Sequence, residues 1–350
     1  MKAEPFRLEP VLHPRLWGPR TLAPLFPALH DLPEPIGETW LSETACRAAG
    51  GPYAGAVLGE AWKAMPVTWR GERLAQRESF PLLTKFLFPV QKLSIQVHPD
   101  DAYAAKHEVA AGGCGKTEVW HIVSAKPGAR LLLGLKSGVT REQFLAGLAA
   151  HTLEDLLQSH PVQAGDTFFI APGTVHTLGA DMVVCEVQQY SDLTYRVYDY
   201  GRTDAQGRPR ALHIDKALDV IHFGEQRIAA MPSLPLRDAD GNSGRLLAAC
   251  RHFAAERWEI QREARFAGTP DAFRLLIFLA GSGELRWNAG SSAYHPGECW
   301  FIPANLAGFA LAPQESSSAI VTWIPDTLQL GRKLAAGGAS EKEIAQVVLG

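Results

Sequence analysis

Several things are missing from this sequence, and each absence excludes something. No apolar run approaches the roughly 20 residues a helix needs to span a bilayer; the longest, such as the six residues after Arg274, stop far short. Lys2, Glu4, Arg7 and Glu9 interrupt the first ten residues, so no secretory leader is expected and a cytoplasmic location is. The five cysteines, at 46, 114, 185, 250 and 299, never form a Cys-X-X-Cys pair. Their odd number and wide spacing read as reduced packing residues rather than a disulfide framework or thiolate cage. There is no basic block: 34 Lys and Arg stand against 37 Asp and Glu, for a net charge of -3. That argues against nucleic acid as a partner. A glycine-rich phosphate loop is also lacking, which argues against a fused nucleotide-binding unit.

What is present points to a folded, turn-rich β protein. A length of 350 residues suits two domains, or one with elaborations. With 46% apolar residues and a mean hydropathy of -0.06, the chain can bury a large core. Its 32 glycines and 24 prolines exceed the average for globular domains. Strand-like runs bounded by turn residues recur at 81–88, 92–98, 117–123, 130–135 and 166–170. One segment, 140–160, instead spaces Phe144, Leu145, Leu148, Leu153, Leu156 and Leu157 mostly as a helix does, with Thr140 as N-cap. It predicts one or two short helices inserted between strands. A second helix is expected over 214–221, while 341–349 reads as either strand or helix.

The sequence also echoes itself. Gly-Asp-Thr-Phe-Phe-Ile-Ala-Pro (165–172) and Gly-Glu-Cys-Trp-Phe-Ile-Pro (297–303) are each a turn glycine, an aromatic strand and a terminating proline. Two such stretches suggest two copies of one β-barrel module. Aligned on the prolines, His176 corresponds to Ala307, so the second copy lacks that histidine.

Three places in the first half offer metal-ligating side chains. Gln96 and His98 lie two apart in a strand run and so project from one face. Glu118 opens the next strong strand, and His176 follows the Pro172-Gly173 turn. Two imidazoles, a carboxylate and a carboxamide form a mixed nitrogen and oxygen set that suits Zn(II) or Fe(II) and leaves an open position for substrate. His121, three residues beyond Glu118, falls on the opposite strand face and stays outside the set. The other histidines read as ordinary core or surface groups.

Four motifs in order place these residues in context: Leu-Ser-Ile-Gln-Val-His-Pro-Asp-Asp (93–101), Gly-Lys-Thr-Glu-Val-Trp (115–120), Pro-Gly-Thr-Val-His-Thr-Leu-Gly (172–179) and Glu-Val-Gln-Gln-Tyr-Ser-Asp-Leu-Thr-Tyr-Arg-Val-Tyr-Asp (186–199). Together with Trp17-Gly18, Ile-Gly-Glu-Thr-Trp (36–40) and Pro-Leu-Leu-Thr-Lys-Phe (81–86), they resemble the type I phosphomannose isomerases in their shorter bacterial form. The resemblance covers most of the chain and is strongest over 80–215.

It implies a mainly β fold of two cupin-like, jelly-roll barrels with the small helical insertion. Residues 1–230 would form the metal-binding barrel and 231–350 a degenerate barrel without metal ligands. It also implies one Zn2+ per chain, held by Gln96, His98, Glu118 and His176, and interconversion of mannose 6-phosphate and fructose 6-phosphate through an enediol(ate). Arg196 matches the family's active-site arginine, Ser94 and Lys116 match substrate positions, and Glu186 and Asp192 match acidic positions. The residue types agree with this chemistry. Arg196 stays charged and can stabilise an oxyanion, and a base must move a proton between adjacent carbons. Glu186, Asp192, Lys116 or metal-bound water could serve, and Asp192 could instead pair with Arg196. Lys116 could hold the phosphate or be a solvated turn lysine.

The phosphate contacts stay open, because the family's longer members carry extra basic residues with no legible counterpart here. The segment 43–55 departs from the family pattern and reads as a surface connection that could border the pocket. The expected partner is a phosphosugar, with no nucleic acid or membrane, on a monomer or homodimer. Two alternatives remain: a cupin-fold sugar-binding or sensing protein without turnover, and another metal-dependent cupin enzyme, an epimerase or dioxygenase.

Overall fold

In the computed structural model, residues 2–203, 207–226, 228–236 and 241–349 are described. The β expectation holds: four sheets carry the fold, and every strand ladder among the described residues is antiparallel. A six-stranded sheet runs in the order Thr167–Ile170, Glu118–Ala125, Met182–Gln189, Leu82–Leu87, Ile36–Trp40, Val11–Pro14. A five-stranded sheet runs Tyr195–Tyr198, Ile95–Val97, His176–Leu178, Arg130–Leu135, Leu157–Pro161. The two face each other across a shared apolar core. Trp120, Ile122, Phe168 and Val184 come from the first, and Leu131, Leu133 and Leu178 from the second.

Alternation along each strand decides what faces inward. In the five-stranded sheet, Ile95, Val97, Tyr195 and Val197 turn outward and pack beneath the helices Arg141–Ala149 and Ile214–Val220. Their neighbours Gln96 and Arg196 must therefore project between the sheets. In the six-stranded sheet, Val119, Cys185 and Val187 join a second core on the outer face. That choice turns Glu118, Trp120 and Glu186 inward. Leu82–Leu87 is buried along its whole length because it has protein on both faces.

The second half repeats this layout. An eight-stranded sheet that includes Arg274–Ala280, Cys299–Ile302 and Ser317–Trp323 packs on a four-stranded one. Leu276, Phe278, Val321, Leu285, Phe309 and Leu311 lie between them. The first strand of the chain, Phe6–Leu8, belongs to this second pair: it pairs with Cys299–Ile302, and Phe6 stacks on Phe301 at 4.9 Å. The backs of the six- and eight-stranded sheets meet across the largest core, which also takes in Trp62, Trp69 and Phe80 from the helical segment between the first strands. The repeated glycines of the two echoed stretches, Gly165 and Gly297, both adopt positive φ, 96° and 81°, where a side chain would be strained.

The inserted helix Arg141–Ala149 starts at the expected Thr140 cap, reinforced by Gln143 as a capping box. The expected short helices are present, but they stop before 157 rather than reaching 160. A 3-10 turn, Leu153–Leu156, ends the helical stretch, and Leu157–Pro161 pairs as an edge strand with Arg130–Leu135. A waiting sheet edge outweighed leucine periodicity there. The last segment is the helix Glu341–Val347, capped by Ser340 and Glu343. The Lys92-to-His98 run forms a shorter strand, Ile95–Val97, and His98 follows it directly. Among the described residues, no helix is long and apolar enough to cross a membrane.

Candidate metal centre and substrate cavity

The four predicted ligands come from two neighbouring strands of one sheet and one strand of the opposite sheet. Antiparallel register sets His176 beside Gln96, and Gln96 beside Arg196, so the three form a row on the inner face of the five-stranded sheet. Glu118 reaches in from the six-stranded sheet. The ligating atoms of His98, Glu118 and His176 lie within 4.8 Å of one another, and all three residues are buried. Gln96 joins them, its carboxamide nitrogen 3.2 Å from His176 Nε2.

The hydrogen bonds around this cluster prepare it for a cation. His98 Nδ1 donates to the Leu193 carbonyl at 2.8 Å, and His176 Nδ1 to the Thr174 carbonyl at 2.8 Å. Each bond fixes the tautomer and turns an Nε2 lone pair into the cluster, as outer-shell carbonyls do for metal-ligating histidines. His98 Nε2 and Glu118 Oε2 are buried without a hydrogen-bond partner. Unsatisfied acceptors in an interior are costly, and a divalent ion satisfies them. Burial, with a further push from the Lys116 charge, holds His98 down to about 3, and burial also lowers His176. Both imidazoles are thus kept neutral. Glu118 sits well below the ordinary carboxylate value: burial raises it, but the adjacent Lys116 charge outweighs that. The residues fit a metal ion.

Beside the cluster lies a cavity of about 550 Å³ whose walls include Ser94, Gln96, Lys116, Glu186, Asp192 and Arg196. The predicted substrate and catalytic positions thus converge on one space. Lys116 is buried, its Nζ 2.9 Å from Glu118 Oε1, so it is no solvated turn lysine. Glu186 is buried too, with Lys85 Nζ 3.5 Å away. Burial, with the nearby Glu118 charge, pushes Glu186 up to about 7 against the opposing pull of Lys85 and Lys116. Arg196 donates through Nε to Ser94 Oγ at 3.3 Å and through Nη1 to the Ala211 carbonyl at 3.0 Å rather than to Asp192.

Sequence reading missed several cavity residues: Arg15, Glu38, Lys85, Arg202 and Arg210. Lys85 lay in a quoted motif, and its cross-strand position opposite Glu186 gives it meaning only once the strands pair. Glu38 accepts from Arg15 Nε at 2.8 Å and from Trp40 Nε1 at 2.6 Å. His121, left out of the set, faces away, bonding Thr167 Oγ1 and Arg257. The segment 43–55 lines no part of the cavity; its Tyr53 packs on Phe6 and Trp69.

Comparison with known proteins bears on this geometry. The family model "Phosphomannose isomerase type I, catalytic domain" matches residues 6–113. A mannose-6-phosphate isomerase from Streptococcus mutans is 35% identical over 309 residues, 87% of this chain and 94% of that protein. The chain belongs to the type I phosphomannose isomerase family. A crystal structure of the mannose 6-phosphate isomerase from Bacillus subtilis superposes with a TM-score of 0.83 at 29% identity, over 92% of this chain and 99% of that one. A mannose 6-phosphate isomerase solved with zinc and yttrium bound, 17% identical, shares the fold at a TM-score of 0.71 over 91% and 99% of the two chains. Within the phosphomannose isomerase frame, the buried cluster and its cavity occupy the N-terminal pair of sheets.

Proposed function

We propose that this chain is a zinc-dependent, cytoplasmic aldose–ketose isomerase that interconverts mannose 6-phosphate and fructose 6-phosphate. One observation carries the reading: a preformed two-imidazole, one-carboxylate cluster borders a cavity whose lining also holds the guanidinium groups of Arg202 and Arg210. That pairing suits a sugar with a reactive carbonyl at one end and a phosphate at the other. One Zn2+ held by His98, Glu118, His176 and Gln96 would polarise the sugar's carbonyl and the adjacent hydroxyl.

The remaining chemistry is assigned to the chain's own side chains. Glu186, buried and poised near neutrality, is the group best suited to take the proton from one carbon and return it to its neighbour. Lys116, fixed as an ammonium beside Glu118, is a donor to the substrate oxygens rather than the base. Arg196, with Ser94 orienting it, balances charge that develops on the enediolate. Asp192 lines the same wall and is assigned to sugar hydroxyls.

In domain terms, residues 1–230 carry this site, except that Phe6–Leu8 and Ala48–Ala49 complete the eight-stranded sheet of the copy without ligands, formed by 231–350. Register supports that assignment. Ile170 pairs with Glu118, and the echoed Ile302 pairs with Arg274. Ala267 pairs with Gly308, so continuing that register sets Gly268 and Pro270 where Gln96 and His98 stand. The test compares turnover of mannose 6-phosphate with mannose, alongside metal content by mass spectrometry. Strong preference for the phosphorylated sugar and one zinc per chain are expected; equal turnover of the two sugars, or two metal ions, contradicts the reading.

A further inference from the structure

The strand that carries Arg196 ends at Tyr198, and the next residue, Asp199, is only 6% exposed. Its carboxylate is shared. Oδ2 accepts from Arg210 Nε at 2.7 Å, and Oδ1 accepts from Nη2 of both Arg210 and Arg202. The chain on either side is pinned as well. Arg202 Nη1 donates to the Lys92 carbonyl at 2.6 Å, and Thr203 bridges to Pro209. Ala211 supplies the carbonyl that holds Arg196, and the Arg196 N–H donates to His213 Nδ1 at 3.2 Å. Two guanidiniums, those of Arg202 and Arg210, thus share one carboxylate on this wall of the cavity. One positive charge is left over, and planar guanidiniums suit phosphate oxygens.

We propose that Asp199 is a positioning residue for the anionic end of the substrate. It does not touch the sugar phosphate; it fixes the orientation of the Arg202 and Arg210 guanidiniums, whose remaining N–H groups would meet the phosphate oxygens. The inference rests on reading the cavity as a phosphosugar site.

Two physical effects of removing Asp199 have opposite signs, which makes the inference testable. Coulomb's law alone predicts that losing a negative charge beside the site tightens anion binding. Loss of positioning predicts that it weakens. With the metal-loaded enzyme, inorganic phosphate is used as a competitive inhibitor of mannose 6-phosphate turnover. Asp199→Asn is expected to raise the phosphate inhibition constant and KM together by about tenfold, with kcat within about twofold. Arg210→Lys, which keeps the charge and loses the fork, should behave the same way and covers the case in which Asp199→Asn does not fold. Unchanged or tighter phosphate inhibition in the folded variants overturns the proposal. Arg202→Gln and Arg210→Gln separate the two levels. If neither weakens phosphate, the reading of this cavity end fails. If both do and Asp199→Asn does not, only the positioning role falls.

Discussion

Metal removal should lower thermal stability by a predictable amount. His98, Glu118 and His176 are already assembled with their ligating atoms within 4.8 Å, so little reorganisation opposes binding. An ion bound only by the folded state stabilises it by about 4 kcal/mol at a thousandfold excess over its Kd. Unfolding entropy near 2 cal/mol/K per residue gives roughly 0.7 kcal/mol/K for a chain of 350 residues. The expected shift is therefore about 5 °C between chelated and zinc-saturated protein. Differential scanning calorimetry with and without chelator measures it. His98→Ala should abolish the shift while the protein still melts cooperatively. Equal melting temperatures for chelated and zinc-loaded wild type, or a full zinc shift in His98→Ala, would refute the assignment of this cluster as the metal site.

Other consequences follow from the same geometry. Burial keeps His98 and His176 below the ordinary value of 6.5, so protons displace the metal only in acid. Half-release on dialysis is expected below about pH 5.5, and half-release near 6.5 would mean exposed ligands. The sign for the metal-free fold agrees: the unfolded state takes up protons first, so stability is intact above pH 6.5 and falls as pH drops toward 3. Arg196→Ala should keep the metal and lose roughly a hundredfold or more in kcat; an unchanged kcat removes Arg196 from the mechanism. Trp62, fully buried with edge contacts to Phe80 at 5.2 Å and Phe273 at 5.5 Å, should cost about 3–5 kcal/mol when replaced by alanine. Urea unfolding reads this, and a loss under about 1 kcal/mol would contradict the packing.

Much of the site could be read from the sequence because its chemistry lies in local motifs. The Gln96-X-His98 spacing is legible wherever strand alternation applies, and the order of four loaded motifs singled out Glu118, His176 and Arg196 from many similar residues. The strand rhythm and the Thr140 cap were equally local. What escaped depended on pairing. Lys85 matters because register sets it opposite Glu186, and Arg202 and Arg210 matter because Asp199 gathers them across a turn. Leu157 continues the helical spacing of Leu153 and Leu156, and only the free edge of Arg130–Leu135 made Leu157–Pro161 a strand. The membership of Phe6–Leu8 in the C-terminal sheet left no local trace, since nothing in three residues specifies a partner nearly three hundred positions away.

The central claim is metal-dependent isomerisation at the His98–Glu118–His176 cluster. The most direct measurement supplies purified protein with mannose 6-phosphate and follows fructose 6-phosphate through a coupled assay, before chelation, after chelation and after zinc is restored. The account predicts turnover that chelation abolishes and zinc recovers. Undiminished turnover after complete metal removal, or none with zinc confirmed at the cluster, would contradict it.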